Sequence, residues 1–216
     1  MITVHHLLVS QSERVIWLLE ELGLHYELKS YPRAATGMAD PIFQQLHPTG
    51  NAPVIQDGAV TLAESLAIFT YILELYGEGK LRIAPGAPHY ADFVYWFHYS
   101  NAGLMPLMMH HLFDTMAGDT SSMRSQVMQD RLGRNLRMID AQLAGSDYIA
   151  GPDFTAADIL MHFPFGTMSQ FAPIDISGYS HIRPWLDRLS ARPAYRKAMK
   201  LAGHERDPAK PDSAPL

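Results

Sequence analysis

The chain has 216 residues, 47% of them hydrophobic, a net charge of −5 and no cysteine. That length allows one or two domains with a substantial core. The missing cysteine excludes disulfides, a cysteine nucleophile, a CxxC redox pair and a cysteine zinc site, so any sulfur chemistry must use a sulfur carried by a ligand. Residues 1–80 carry 4 Lys and Arg against 9 Asp and Glu, while residues 81–216 carry 13 of each. Neither part supplies the basic field that nucleic-acid binding needs. No apolar run approaches the roughly 20 residues of a membrane span. No basic segment followed by a long apolar stretch marks a secretory signal, so a cytoplasmic protein is expected.

Thr3–Leu8 reads as a strand, and Ser10–Ser12 supplies cap chemistry for a helix over Arg14–Leu22. Gly23 is a natural helix stop, and Tyr26–Tyr31 reads as a second strand, suggesting a right-handed βαβ unit. Pro41–Leu46 suggests a short helix. Pro53–Gln56 and Val60–Leu62 flank Asp57-Gly58, a hairpin signal, and Glu64–Tyr76 reads as a helix ended by Gly77. Residues 77–89, with three glycines and two prolines, read as a linker.

Beyond the linker the patterning is helical throughout. Tyr90–Met116 is one long stretch with a kink expected at Pro106. Ser122–Leu143 is the next helix, with Arg124, Arg131, Arg134 and Arg137 on exposed turns. Thr155–Phe171 is expected to be interrupted at Pro164, and Pro184–Ser190 and Ala194–Leu201 are shorter helices. The fold class is therefore α/β plus all-α, with boundaries at 1–79, a linker over 80–89, helices over 90–204 and a flexible tail over 205–216.

Three segments carry the chemical information. Val9-Ser10-Gln11-Ser12-Glu13-Arg14 lies at a strand-to-helix junction. Gly50-Asn51-Ala52-Pro53-Val54-Ile55 leads into the hairpin and then into Leu62-Ala63-Glu64-Ser65-Leu66-Ala67-Ile68. Phe154-Thr155-Ala156-Ala157-Asp158-Ile159 opens a helix. Taken as residues, Ser10, Ser12 and Ser65 are helix caps or hydroxyl donors, and Pro53 opens a strand. Thr155 and Asp158 resemble a capping box with Phe154 and Ile159 as its staple, so Asp158→Ala should cost about 1 kcal/mol. Neighbours on a strand face opposite ways and helical neighbours diverge by about 100°, so neither His5-His6 nor His110-His111 is suited to chelate one metal.

In order and spacing these segments resemble the cytosolic glutathione transferase family, over nearly the whole chain, in its serine-type bacterial and fungal-like form. The resemblance implies a thioredoxin-like N-terminal domain (βαβ-α-ββα) and an all-helical C-terminal domain. It implies a cis peptide at Ala52-Pro53, whose Ala52 backbone pairs with glutathione as an added strand would. It implies Glu64 on the γ-glutamyl amine, Ser65 on the carboxylate and a backbone contact for Asn51. Ser10 is implied as the hydroxyl that hydrogen-bonds the glutathione sulfur; Ser12, nearer the helix start, is the competitor, and capping by both is the third possibility. A thiol with a pKa near 8.5 is only a few per cent ionised at neutral pH, so a donor at the sulfur is what the chemistry needs. Tyr99, Met105 and Met109 are candidates for the electrophile pocket, with Met108 on the same stretch. Arg33 and His47 are candidates for the glycyl carboxylate, with surface roles equally open.

The activity expected from the resemblance is attack of the glutathione thiolate on small hydrophobic electrophiles, with reduction of organic hydroperoxides as a companion reaction. The alternatives are a non-catalytic glutathione-binding or scaffold protein of the same fold, and a glutathione-dependent isomerase. The serine-serine-cysteine stretch usual in maleylacetoacetate isomerases is missing. Glutathione is the expected co-substrate, without a metal. A homodimer is expected, and no nucleic-acid or membrane partner.

Overall fold

The computed structural model describes residues 1–34 and 36–204. The tail expected over 205–216 lies outside them. The chain divides into two compact units: residues 1–80 together with the segment from 191 onward, and residues 81–190.

The first unit is built on four strands, β1 (Ile2–Leu7), β2 (Tyr26–Tyr31), β3 (Val54–Asp57) and β4 (Val60–Ala63). Their order is β2-β1-β3-β4, with β1 parallel to β2 and antiparallel to β3, and β3 antiparallel to β4. Helix α1 (Glu13–Leu22) makes the crossover between the parallel strands, as a right-handed βαβ unit requires. Gly23, in the left-handed region at φ 68°, stops α1 and lets the N–H groups of Gly23 and Leu24 reach back to the carbonyls of Glu20 and Leu19. Side chains alternate along β1. Leu7 points to the face covered by Phe43 of α2 (Pro41–Gln44), where Val54, Ala63 and Tyr31 join it. His6 points to the face of α1.

Two further helices complete this unit: α3 (Ser65–Leu75) and, far along the chain, α9 (Pro193–Leu201). Both pack against α1, which explains why Val15, Ile16, Trp17, Leu18 and Leu19 are buried nearly all round that helix. The Trp17 ring meets the Tyr195 ring edge-on at 4.8 Å. Arg192 grips both Glu21 carboxylate oxygens, at 2.6 and 2.7 Å, and Lys197 pairs with Glu20 at 2.7 Å. Acidic residues of α1 thus meet basic residues on and beside α9. Apolar and ionic contacts thus bind to α1 a segment that lies within the 90–204 span expected for the helical domain.

The second unit holds α4 (Tyr90–Tyr99), a π turn (Ser100–Leu104), α5 (Met105–Ala117), α6 (Met123–Leu143), α7 (Ala156–Phe165), a 3-10 turn (Met168–Gln170) and α8 (Ile182–Ser190). All ten residues of α7 are buried, with α4, the π turn and α8 packed against it. A helix apolar on every side belongs at the centre of its unit. The stretch expected as one helix kinked at Pro106 instead breaks earlier. The Met105 N–H reaches the carbonyl of Ser100, five residues back, and Pro106 comes next as an early residue of α5, where no N–H is needed. Gly103 makes room within that turn: a Cβ there would lie 2.3 Å from the Tyr99 ring. Helix α7 passes through Pro164 and stops one residue later, short of the Phe171 end expected.

The capping box is present, and it does more than cap. Asp158 is fully buried and accepts from the backbone N–H groups of Thr155 and Ile149, at 2.9 and 2.8 Å, and from Trp185 Nε1 of α8 at 2.9 Å. It joins three segments, so the cost of about 1 kcal/mol expected for an ordinary cap is too low. Among the described residues no helix is long and apolar enough to cross a membrane.

Candidate active site

The site is built from two backbone features of the first unit. The first is the turn between β1 and α1. Val9, a β-branched residue, holds φ at 53°, which is unusual for its type and belongs to turns under tertiary constraint. Arg33 supplies much of that constraint. Its Nε and Nη2 donate to the carbonyls of Leu8 and Val9 at 3.0 and 2.6 Å, and its Nη1 to Gly37 at 2.8 Å. These bonds engage Arg33 in shaping the turn. His47, the other candidate, bonds Thr49 within its own turn at 2.9 Å.

The turn delivers Ser10 and Ser12 to the start of α1. Ser10 Oγ lies 2.7 Å from the Leu7 carbonyl and 2.7 Å from Ser12 Oγ, and accepts the Ser12 N–H at 3.3 Å. Ser12 Oγ lies 2.7 Å from His6 Nδ1. Ser12 is the N-cap residue of α1 by position, yet its side chain makes no capping bond. Its exposure is 0%, against 7% for Ser10.

The second feature is the start of α3. Glu64, the N-cap residue, sits at φ 74° and ψ 120°, and its side chain makes no capping bond. The first N–H groups of α3 therefore have no cap from that side chain, and a helix start of this kind attracts an anion. Ser65 is buried, and its Oγ accepts from Arg14 Nη2 at 3.0 Å. Arg14 also donates to the Gln11 side chain. It thereby ties the start of α3 to the turn that carries Ser10. Burial lowers the Arg14 guanidinium to about 10, against the support of Glu13 and Glu64, so it stays charged at neutral pH. Motif reading passed over this role of Arg14. The hint was an arginine on the otherwise apolar inner face of α1.

The remaining residues complete the inventory. The Ala52-Pro53 peptide is cis, and the sheet register resumes directly after it, with Val54 opposite both Ala63 and His5. Asn51 is exposed, Ala52 half-buried and Pro53 buried. Ser10, Asn51, Ala52, Pro53, Glu64 and Ser65 thus all belong to one unit. Tyr99, Met105 and Met109 belong to the other, at the π turn and the first turns of α5. The Tyr99 hydroxyl is buried without a hydrogen-bond partner, which pushes its pKa up. Among the described residues no cluster of three His, Asp or Glu side chains could hold a metal ion.

Residues 1–74 match the family model for the N-terminal domain of glutathione S-transferase, and residues 95–193 match that for its C-terminal domain. The chain belongs to the glutathione S-transferase family. It is 34% identical over 212 residues to glutathione S-transferase 3 of Schizosaccharomyces pombe, covering 92% of this chain and 86% of that one. A glutathione S-transferase structure from Actinobacillus pleuropneumoniae superposes with a TM-score of 0.85 at 33% identity, covering 94% of this chain and 93% of the other. A theta-class glutathione S-transferase from Xanthomonas axonopodis pv. citri, described with glutathione bound, gives a TM-score of 0.74 at 26% identity, covering 91% and 96%. The thioredoxin-like first domain and the helical second domain expected from the motifs are those of this family. The enzyme is a glutathione transferase, with glutathione as its co-substrate.

Proposed function

We propose that glutathione lies along the first unit with its γ-glutamyl end at the start of α3 and its sulfur at Ser10. The observation that carries this reading is the start of α3, a helix terminus without a side-chain cap, backed by the buried charge of Arg14 through Ser65. That arrangement suits a carboxylate, and the carboxyl group of Glu64 beside it suits an ammonium. A γ-glutamyl group carries both. Ala52 offers its backbone to the cysteinyl part as an edge strand would, with Asn51 alongside. The bound glutathione described for the Xanthomonas enzyme supports the same ligand here.

Ser10 then faces the thiol. Its hydroxyl donates to the developing thiolate, and the start of α1 adds its favourable dipole. Each pKa unit gained is worth about tenfold in thiolate below the thiol pKa. The chain has no cysteine of its own, so the nucleophile is the ligand's. Fixing that thiolate beside an electrophile completes catalysis by proximity. Tyr99, Met105 and Met109 are the proposed contacts for a small hydrophobic electrophile, and an organic hydroperoxide would be attacked by the same thiolate. A cytoplasmic homodimer completes the reading, since both features are typical of the family.

The test is the ultraviolet absorbance of bound thiolate, read across pH in the wild type and in Ser10→Ala, with conjugation kinetics on both. The variant should lose at least about tenfold in thiolate at neutral pH and a similar factor in kcat/KM. Unchanged thiolate in Ser10→Ala would remove Ser10 from the mechanism. Failure of the wild type to bind glutathione would remove the whole reading.

A further inference from the structure

Ser10 is the outer end of a buried chain of hydrogen bonds. Its Oγ lies 2.7 Å from Ser12 Oγ, Ser12 Oγ lies 2.7 Å from His6 Nδ1, and His6 Nε2 lies 3.1 Å from the Ala202 carbonyl. Ser12 and His6 are fully buried.

The inner end fixes the direction of the rest. A carbonyl oxygen only accepts, so His6 Nε2 carries a hydrogen. In the neutral ring Nδ1 is then a lone pair, and Ser12 donates its one proton to it. Two hydroxyl oxygens 2.7 Å apart need a proton between them. With the Ser12 proton committed to His6, that proton can only be Ser10's, for which the Leu7 carbonyl, 2.7 Å from Ser10 Oγ and 3.3 Å from Ser12 Oγ, is a competing acceptor. Ser10 can donate outward to a sulfur and still keep its bond to Ser12 only if Ser12 turns its proton toward Ser10. Nδ1 of His6 must then hold a proton of its own and donate it to Ser12. Along Ser10, Ser12 and His6 the chain therefore has two saturated states, inward with His6 neutral and outward with His6 as imidazolium, the inward one reached when the Ser10 proton leaves the Leu7 carbonyl. They differ by one proton.

We propose that this proton is the one released by the glutathione thiol, and that His6 receives it through Ser12 and Ser10. The S–H proton passes to Ser10 Oγ, the Ser10 proton to Ser12 Oγ, and the Ser12 proton to His6 Nδ1. The S–H bond and two O–H bonds break; two O–H bonds and one N–H bond form. The S–H electron pair stays on sulfur as the thiolate, and nothing is oxidised or reduced. His6 touches no reacting atom and acts through the serines, as a positioning residue. The inference rests on the reading that places the sulfur at Ser10.

The surroundings suit both states. Burial lowers the pKa of the resting imidazole and keeps it neutral. The charged groups acting on it are Glu13 of α1, which favours the imidazolium, and His204 beyond α9, which opposes it. Those two pair with each other at 2.7 Å. A thiolate formed at the outer end adds a second negative charge close by, present only in the outward state.

The test needs no variant to begin. Imidazole-nitrogen NMR of the full chain, with His6 assigned through His6→Asn, should show His6 turning from neutral to imidazolium as glutathione saturates the protein near neutral pH. With S-methylglutathione, which has no thiol proton, His6 should stay neutral. Ser12→Ala breaks the chain, so its His6 should stay neutral with glutathione, and its thiolate absorbance should fall about tenfold or more. If the thiolate forms and Ser10→Ala abolishes it while His6 remains neutral, the relay is wrong and the Ser10 reading stands. An imidazolium that appears equally with S-methylglutathione also overturns the relay. If Ser10→Ala keeps its thiolate, or if glutathione does not bind, both fall together.

Discussion

Asp158 shows how far one side chain's role can exceed its motif. Removing its carboxylate strands three buried N–H donors, on Ile149, Thr155 and Trp185. Each unsatisfied buried donor costs about 1–3 kcal/mol. Asp158→Ala should therefore lose on the order of 3–5 kcal/mol in urea unfolding. A loss near 1 kcal/mol would return the residue to plain capping. Burial also raises this carboxyl to about 6, against the pull of its donors. A group whose folded value is raised stabilises fully below its unfolded value and loses that contribution as pH climbs through the folded one. Going from neutral pH to about pH 5, the wild type should thus gain about 1 kcal/mol relative to Asp158→Asn. A gap that does not move with pH would contradict the raised value.

At the scale of elements, the π turn sets local packing against helix propensity. Alanine is the better helix former by about 1 kcal/mol, so Gly103→Ala should stabilise an ordinary helix. Here the new Cβ would collide with the Tyr99 ring, which is stacked on Tyr95 at 5.3 Å. The variant should instead be less stable by about 1–3 kcal/mol in thermal or urea unfolding. A gain in stability would show that the ring swings aside at little cost. The same turn marks a limit of sequence reading. Pro106 signals a disturbance, but nothing in the hydrophobic pattern distinguishes a kink from a carbonyl paired five residues on. Elements bounded by strong local chemistry were legible: Tyr26–Tyr31 agrees to the residue, and Gly23 and Gly58 mark their turns. The segments around Ser10, Ala52 and Glu64 were legible for the same reason, as short contiguous motifs. His6, Arg14 and Arg33 were not. Each owes its part to a partner brought close by folding: Ala202, Ser65, and the carbonyls of Leu8 and Val9.

At the scale of the molecule, the first unit is discontinuous in sequence. Its two pieces are joined through α1 and the segment that holds α9. The bidentate Arg192–Glu21 pair should matter more than the Lys197–Glu20 pair, whose carboxylate is about as buried but whose ammonium is 65% exposed, and Glu20 also keeps the Tyr26 hydroxyl as a donor. Arg192→Ala should cost about 2–3 kcal/mol, because it leaves a buried carboxylate without its main cation. Lys197→Ala should cost about 0–1 kcal/mol. Equal losses in urea titrations of the two variants would show that the bidentate geometry of the Arg192–Glu21 pair gives it no advantage.

The return of α9 also gives the protein an order of assembly. As the chain leaves the ribosome, β1 and α1 emerge while the whole of Leu81–Ser190 has still to be synthesised. At ordinary translation speeds that interval lasts on the order of ten seconds. The helical unit, continuous in sequence, can close as soon as it is made. The first unit must wait for the last helix to cover Trp17 and for Ala202 to reach His6. A nascent chain therefore carries both serines well before the imidazole behind them gains its backbone acceptor. The hydroxyl chain leading inward from Ser10 is completed only after the helical unit has been made.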